Sequence, residues 1–191
     1  MRVKPDHAEV LQVFKAAGAI LQGHFQLTSG RHSDTYLEKF QVLQFPQHTE
    51  RLCRLIAERF RNDGVDLVAG PTTGGIILAY EVARQMGVRG IFAEGDPSAE
   101  GRAFRRGFRI EAGERVLVVD DILTTGGSVH EVLAAVREAG GVPMGVGILV
   151  DRSGGKTDFG LPFYACLTLE IASYDATSCP LCTQGVPLTK T

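Results

Sequence analysis

Two hydrophobic periods alternate along this chain. Near its start, Val10, Leu11, Phe14 and Ala17 in "DHAEVLQVFKAAG" recur at helical spacing, Asp6 and Glu9 form a capping-box pattern, and Gly18 stops the run. That spacing predicts a first helix. "AILQGHFQLTSGRHSDTYLEKF" then gives two short extended segments around the turn-rich "TSGRHS". "HTERLCRLIAERFRNDG" returns to a helix with Leu52, Leu55, Ile56 and Phe60 on one face and Gly64 past its end.

From residue 66 onward, short apolar runs alternate with amphipathic stretches. "DLVAG", "RGIFAE", "RVLVVDD", "MGVGILVDR" and "FYACLTLE" read as strands, whereas "GGIILAYEVARQMG" and "SVHEVLAAVREAGG" read as helices. This alternation predicts an α/β fold, a parallel sheet covered by helices on both faces. Ligands bind such sheets at the carboxyl ends of the strands, where three loops fall: "GPTTGG" (70–75), "DDILTTGGS" (120–128) and "DRSGG" (151–155). No internal repeat or low-complexity segment interrupts the pattern. With 191 residues, one domain is expected, long enough to bury about 70% of the surface of its unfolded chain.

Composition removes several function classes. Lys and Arg number 20 against 22 Asp and Glu, for a net charge of −2, so a general nucleic-acid partner is not expected. No apolar run is long enough to span a membrane, and "MRVKPDHAEV" lacks the apolar centre of a secretory signal, so the expected address is cytoplasmic with no membrane partner. Four cysteines are too few for a disulfide framework; Cys53 and Cys166 sit among apolar neighbours and read as core residues. Cys179-Pro-Leu-Cys182 has the spacing of half a zinc knuckle but lacks a second pair, and reads as a plain reduced tail. His24, His32 and His130 read as surface or hydrogen-bonded side chains, since none pairs with another at metal spacing.

The densest chemistry lies in "RVLVVDDILTTGGSV", residues 115–129. Val116 to Val119 lead into Asp120 and Asp121, and "TTGGS" opens a helix, so free amides of its first turn, the helix dipole and the hydroxyls converge on one concavity suited to phosphate. Gly126 and Gly127 let backbone approach an anion closely. The lysine of a P-loop is missing, and so is the third glycine of a dinucleotide fingerprint. A receiver domain would place a phospho-accepting aspartate and a lysine well downstream, but only 70 residues follow Asp121. A ribose 5-phosphate fits what remains: the loop takes phosphate, and the carboxylates accept from the 2′ and 3′ hydroxyls or hold a hydrated Mg²⁺. Consecutive strand residues point to opposite faces, so a turn between Asp120 and Asp121 is predicted if both serve one ligand.

"VLVVDDILTTGGS" resembles the phosphoribosyl pyrophosphate motif of type I phosphoribosyltransferases. "GHFQLTSGRHSDTYLEKF" (23–40) is similar to the hood segment of the orotate phosphoribosyltransferases, matching at Phe25, Leu27, Ser29, Gly30, Ser33 and Tyr36. "VDRSGG" is similar to the segment whose arginine recognises the orotate carboxylate, and "CPLCTQGVPL" recurs in some members. The resemblance covers nearly the whole chain. It implies the type I fold, a twisted, mostly parallel sheet flanked by helices, in a single domain with a small hood (mainly 1–45), a core (about 46–170) and a tail (171–191). It further implies Mg²⁺-dependent transfer of the 5-phosphoribosyl group from phosphoribosyl pyrophosphate to orotate, in pyrimidine biosynthesis, without a covalent nucleophile, by a homodimer with sites at its interface.

Carried onto this sequence, the resemblance assigns phosphoribosyl pyrophosphate to Asp120, Asp121, Ile122, Leu123, Thr124, Thr125, Gly126, Gly127 and Ser128. Orotate falls to Ser29, Tyr36, Thr124 and Arg152, and metal contact to Asp120 and Asp121 through water. Thr28 and "PTTGG" stand where many members carry lysines. "EGDPSAEGRAFRRG" (94–107) lacks Lys and His; it reads as a mobile lid in which Arg102 and the catalytic candidates Arg105 and Arg106 replace those lysines. A competing reading puts Arg105 and Arg106 in a strand, "RRGFRI". Two alternatives stay open: a purine-base enzyme of the same fold, and a phosphoribosyl pyrophosphate-sensing regulator, for which "RAFRRGFR" is the sole basic cluster.

Overall fold

The computed structural model describes residues 7–95 and 101–191, so the Asp6 half of the capping box and the middle of the 94–107 segment lie outside the described residues. Helix α1 (His7–Ala16) buries Val10, Val13 and Phe14. It stops at Gly18, whose left-handed φ of 65° lets its N–H reach the Lys15 carbonyl at 3.0 Å. Strands β1 (Ile20–Gln26) and β2 (His32–Leu37) pair antiparallel, and β9 (Thr189–Lys190) adds to the free edge of β1 in parallel. Two short helices, α2 (Phe40–Leu43) and α6 (Pro180–Thr183), flank this small sheet in sequence, and α3 (Pro46–Phe60) leads into the large one.

The large sheet contains β3 (Leu67–Pro71), β4 (Arg89–Gly95), β5 (Arg102–Phe104), β6 (Arg115–Leu123), β7 (Val142–Asp151) and β8 (Phe163–Thr168), in the order β5-β4-β3-β6-β7-β8. Every pairing is parallel except β4 with β5. Alternate residues of β6 serve opposite faces: Leu117 and Val119 join the cluster of α3 and α4 (Gly74–Met86), whereas Val116 and Val118 join that of α5 (Gly127–Glu138). Burial on both sides is why the strand reads as an unbroken apolar run. Gly145 and Gly147 keep β7 bare on one side, since a Cβ there would run into the Phe60 ring and Ile56 Cγ2 respectively. Cys53 and Cys166 are core residues as expected, and burial pushes both thiols up in pKa.

Three expectations fail. Strand β6 does not turn between Asp120 and Asp121; its ladder with β7 runs on to Leu123 opposite Asp151, because β7 supplies backbone partners that far. Within the 94–107 segment Arg102–Phe104 is a strand paired antiparallel with the end of β4, so Arg102 does not sit on a loose lid, and "RRGFRI" is not a strand: Arg105 and Arg106 follow β5 in a turn, with Arg106 at φ 60°. The histidines are not isolated either. Antiparallel pairing of β1 and β2 sets His24 Nε2 2.9 Å from His32 Nδ1, and the returning tail brings Cys179 and Cys182 against them, so neither the histidine pair nor the cysteine pair stands alone. His130 is exposed and packs on Phe159, with ring centroids 4.9 Å apart. No helix among the described residues is long and apolar enough to cross a membrane.

Candidate functional site

Strand order reverses between β3 and β6, which opens a crevice at their carboxyl ends. The loop ahead of α4 and the 120–128 loop face each other there. A Cβ on Gly74, in the first turn of α4, would overlap the Asp121 carboxylate, so only glycine lets that helix start so close to the acid.

Asp120 and Asp121 are both buried. Asp120 Oδ2 accepts from Ser128 Oγ at 2.8 Å and Oδ1 from the Asp121 N–H at 2.8 Å. Asp121 accepts from the Ile122 N–H at 2.6 Å and forms an ion pair with Lys39 Nζ at 3.0 Å. Because the strand continues, the first acid leans toward α5 and the second toward Lys39 and α4. Any ligand served by both must lie across the end of the strand. Burial, then the neighbouring Asp121 charge, pushes Asp120 up to about 6, against the lowering effect of the Ser128 bond.

Past the acids, Leu123 is buried and Ile122 half-buried, so their side chains belong to packing and only their backbone can face a ligand. Thr124, Thr125 and Gly127 are exposed, and Gly126 caps α5 in the left-handed region at φ 85°. Hydroxyls and first-turn amides therefore open to solvent beside two buried carboxylates.

Arg152 follows β7, and its N–H donates to the Leu123 carbonyl at 2.8 Å, which fastens the 151–155 loop to the 120–128 loop. Its Nε is buried with no hydrogen-bond partner. Burial lowers the guanidinium pKa, and the Tyr36 phenol is close enough to act on it in the opposite direction. Tyr36 itself packs on Phe25, ring centroids 5.6 Å apart. Arg152 is thus linked through its backbone to the strand that bears the acids and through its charge to Tyr36. Ser29 sits on the exposed β1–β2 turn, its Oγ 3.5 Å from the Arg31 N–H.

Residues 41–179 match the phosphoribosyl transferase domain. Over 182 residues, 95% of each chain, the sequence is 54% identical to the orotate phosphoribosyltransferase of Pelotomaculum thermopropionicum. The chain belongs to the orotate phosphoribosyltransferase family. The orotate phosphoribosyltransferase of Caldanaerobacter subterraneus is 52% identical over 95% of each chain. The crystal structure of orotate phosphoribosyltransferase from Aeropyrum pernix superposes with a TM-score of 0.73 at 27% identity, covering 84% of this chain and 94% of that one. An adenine phosphoribosyltransferase from Thermoanaerobacter pseudethanolicus shares the fold alone, with a TM-score of 0.60 at 18% identity, over 71% of this chain and 88% of that one.

Neither residue 28 nor the loop of residues 71–75 holds a lysine. Arg102 Nη1 donates to Thr72 Oγ1 at 3.1 Å and its Nε lies 3.1 Å from Glu131 Oε2, so it bridges β5 to the loop before α4 and to α5. Arg106 presents its fork to Glu94 at 2.8 and 2.9 Å, and Arg105 is exposed. Lys39, on the acid pair itself, is the site residue the sequence reading missed. It stood in the quoted hood segment, three positions after Tyr36, but a single lysine carries no periodic signal.

Proposed function

We propose that this chain transfers the 5-phosphoribosyl group from phosphoribosyl pyrophosphate to a ring nitrogen of orotate, giving orotidine 5′-monophosphate and pyrophosphate, a step of pyrimidine biosynthesis. The observation that carries this reading is the unpartnered Arg152 Nε, buried beside Tyr36 and tied through its own backbone to the strand that bears the acid pair. A planar guanidinium fork with spare donors suits a carboxylate-bearing base.

The hydroxyls and amides of Thr124 to Ser128 hold the 5′-phosphate, and Asp120 and Asp121 orient the ribose hydroxyls. Arg152, with Tyr36, Thr124 and Ser29, positions orotate. Each acid already accepts hydrogen bonds within the protein yet keeps free lone pairs, a hard-oxygen donor set that fits Mg²⁺ through its water shell. Bound there, Mg²⁺ would neutralise charge on the leaving pyrophosphate. Positioning and charge complementarity make up the protein's share, since direct displacement at the anomeric carbon calls for no enzyme nucleophile. Arg102, Arg105 and Arg106 are assigned to the pyrophosphate side.

The chain works as one domain whose hood supplies Ser29, Tyr36 and Lys39 and whose core supplies the rest. It pairs as a homodimer. An apolar depression lined by Leu43, Pro46, Ile76, Ile77 and Tyr80 supports this, with Tyr80 69% exposed although aromatic. The test is a panel of bases with phosphoribosyl pyrophosphate and Mg²⁺, reading pyrophosphate release. Turnover with orotate is expected; turnover of adenine, hypoxanthine or xanthine without orotate would overturn the assignment.

A further inference from the structure

His24 on β1, His32 on β2, Cys179 at the start of α6 and Cys182 within it converge at the small sheet, and none of them belongs to the site described above. One ligand atom from each of His24, His32, Cys179 and Cys182 falls within 4.8 Å of all the others. A tetrahedral ion with Zn–N near 2.0 Å and Zn–S near 2.3 Å needs edges of about 3.3 Å between nitrogens and about 3.6 Å between nitrogen and sulfur. The observed edges are 2.9 Å for His24 Nε2 to His32 Nδ1, 3.5 Å for Cys179 Sγ to His24 Nε2, 3.4 Å for Cys182 Sγ to His32 Nδ1 and 3.8 Å for Cys182 Sγ to His24 Nε2. These four edges lie within a few tenths of an ångström of the tetrahedral values, and the two that involve Cys179 with His32 and with Cys182 are within 4.8 Å.

The hydrogen-bond pattern aims the lone pairs inward. The Val186 carbonyl lies 2.8 Å from His24 Nδ1 and can only accept, so neutral His24 carries its proton on Nδ1 and turns a bare Nε2 toward the cluster. A backbone carbonyl on the far nitrogen is the usual outer partner of a metal-bound histidine. His32 Nδ1 faces that bare nitrogen at 2.9 Å, close enough for its own N–H to donate there when no ion is bound and for both nitrogens to ligate one ion when it is. His24, His32 and Cys179 are buried while Cys182 is exposed, which leaves one side for entry.

We propose that His24, His32, Cys179 and Cys182 bind one Zn²⁺ as a structural site that staples the tail to the hood. Two thiolates and two imidazoles form a soft tetrahedral set that favours Zn²⁺, and four protein ligands leave no open position for catalysis. On binding, the two thiols release their protons to solvent, giving a neutral centre. The ligands come from segments about 150 positions apart, so the ion closes a long loop.

The test is independent of the reaction proposed above. Elemental analysis of the full chain, purified without chelator from zinc-supplemented cells, should give about one Zn²⁺ per chain. Adding Co²⁺ to reduced, metal-stripped protein should produce thiolate-to-cobalt charge-transfer absorption and the visible bands of a tetrahedral ion. Chelator should lower the wild-type Tm, and returned Zn²⁺ should restore it. Cys179→Ser/Cys182→Ser should lose metal, cobalt spectrum and chelator sensitivity together; should that variant fail to fold, the cobalt and chelator measurements on wild type still decide. Wild-type protein that is reduced yet takes up neither ion would overturn the proposal, and so would a Cys179–Cys182 disulfide whose reduction uncovers no metal binding.

Discussion

Lys39 Nζ and Asp121 Oδ2, from residues 82 positions apart, meet at 3.0 Å and tie the end of β2 to the acid pair of β6. The acid is 5% exposed and the lysine 32%, so removing the cation strands a nearly buried carboxylate. Lys39→Ala should destabilise the fold by about 1–3 kcal/mol, between the values for surface and buried pairs, and Lys39→Arg should recover part of the loss. Denaturant melts of both variants check this.

Asp120 has a folded-state pKa raised by burial and by Asp121, so the native state binds more protons than the unfolded one between the two pKa values. Its favourable contribution is complete below the unfolded value of about 3.9 and is lost as pH rises through the folded value. Asp120→Asn should therefore raise Tm relative to wild type at neutral pH, with the gap closing toward pH 4. Turnover of the same variant should fall at least about 100-fold. A pH series of melts paired with pyrophosphate release separates the two effects.

Gly74→Ala puts a methyl group where the Asp121 carboxylate lies. The acid or the first turn of α4 must move, so stability should drop by about 1–3 kcal/mol and turnover by more than that alone explains. Gly87→Ala, at the left-handed C-cap of α4 with open space around it, is the matched control: it should lose stability through φ strain and keep its kcat.

Arg152→Lys exchanges a planar fork for a point charge. KM for orotate should rise about tenfold or more while KM for phosphoribosyl pyrophosphate changes little, the equivalent of about 1.4 kcal/mol on one substrate. Steady-state kinetics with each substrate varied in turn shows the split; equal rises on both would remove Arg152 from the base side.

Arg102→Ala/Arg105→Ala/Arg106→Ala should lose most turnover while binding orotate normally. If the arginines serve a neighbouring subunit, mixing this variant with Asp120→Asn/Asp121→Asn should restore activity, since one heterodimer site would draw intact parts from both chains. Verified subunit exchange with no recovery would place them in their own subunit.

The large parallel sheet was legible because its strands are buried on both faces and read as apolar runs between helical stretches. Strands β5 and β9 were not: Arg102–Phe104 and Thr189–Lys190 are too short and too polar to carry a period, and their partners decide their structure. The phosphate loop was legible because acids, threonines, glycines and serine lie contiguously. The direction of each carboxylate was not, since β6 continues only because β7 offers a ladder as far as Asp151. His24 and His32 are eight positions apart and meet through strand register, which no spacing rule along one chain reports.

Strand β1 takes one partner from its own neighbourhood and the other from residues 189–190, where Thr191 Oγ1 also reaches the Gln26 carbonyl across 165 positions. A ribosome adding about 5–20 residues per second needs roughly ten to thirty seconds to cover that separation. For that interval the Phe25–Gln26 end of β1 must wait with an unpaired edge, a template for pairing with a neighbouring nascent chain. This strand end is thus completed long after it is made, and its exposure during synthesis is timed by the length of everything between it and residues 189–191.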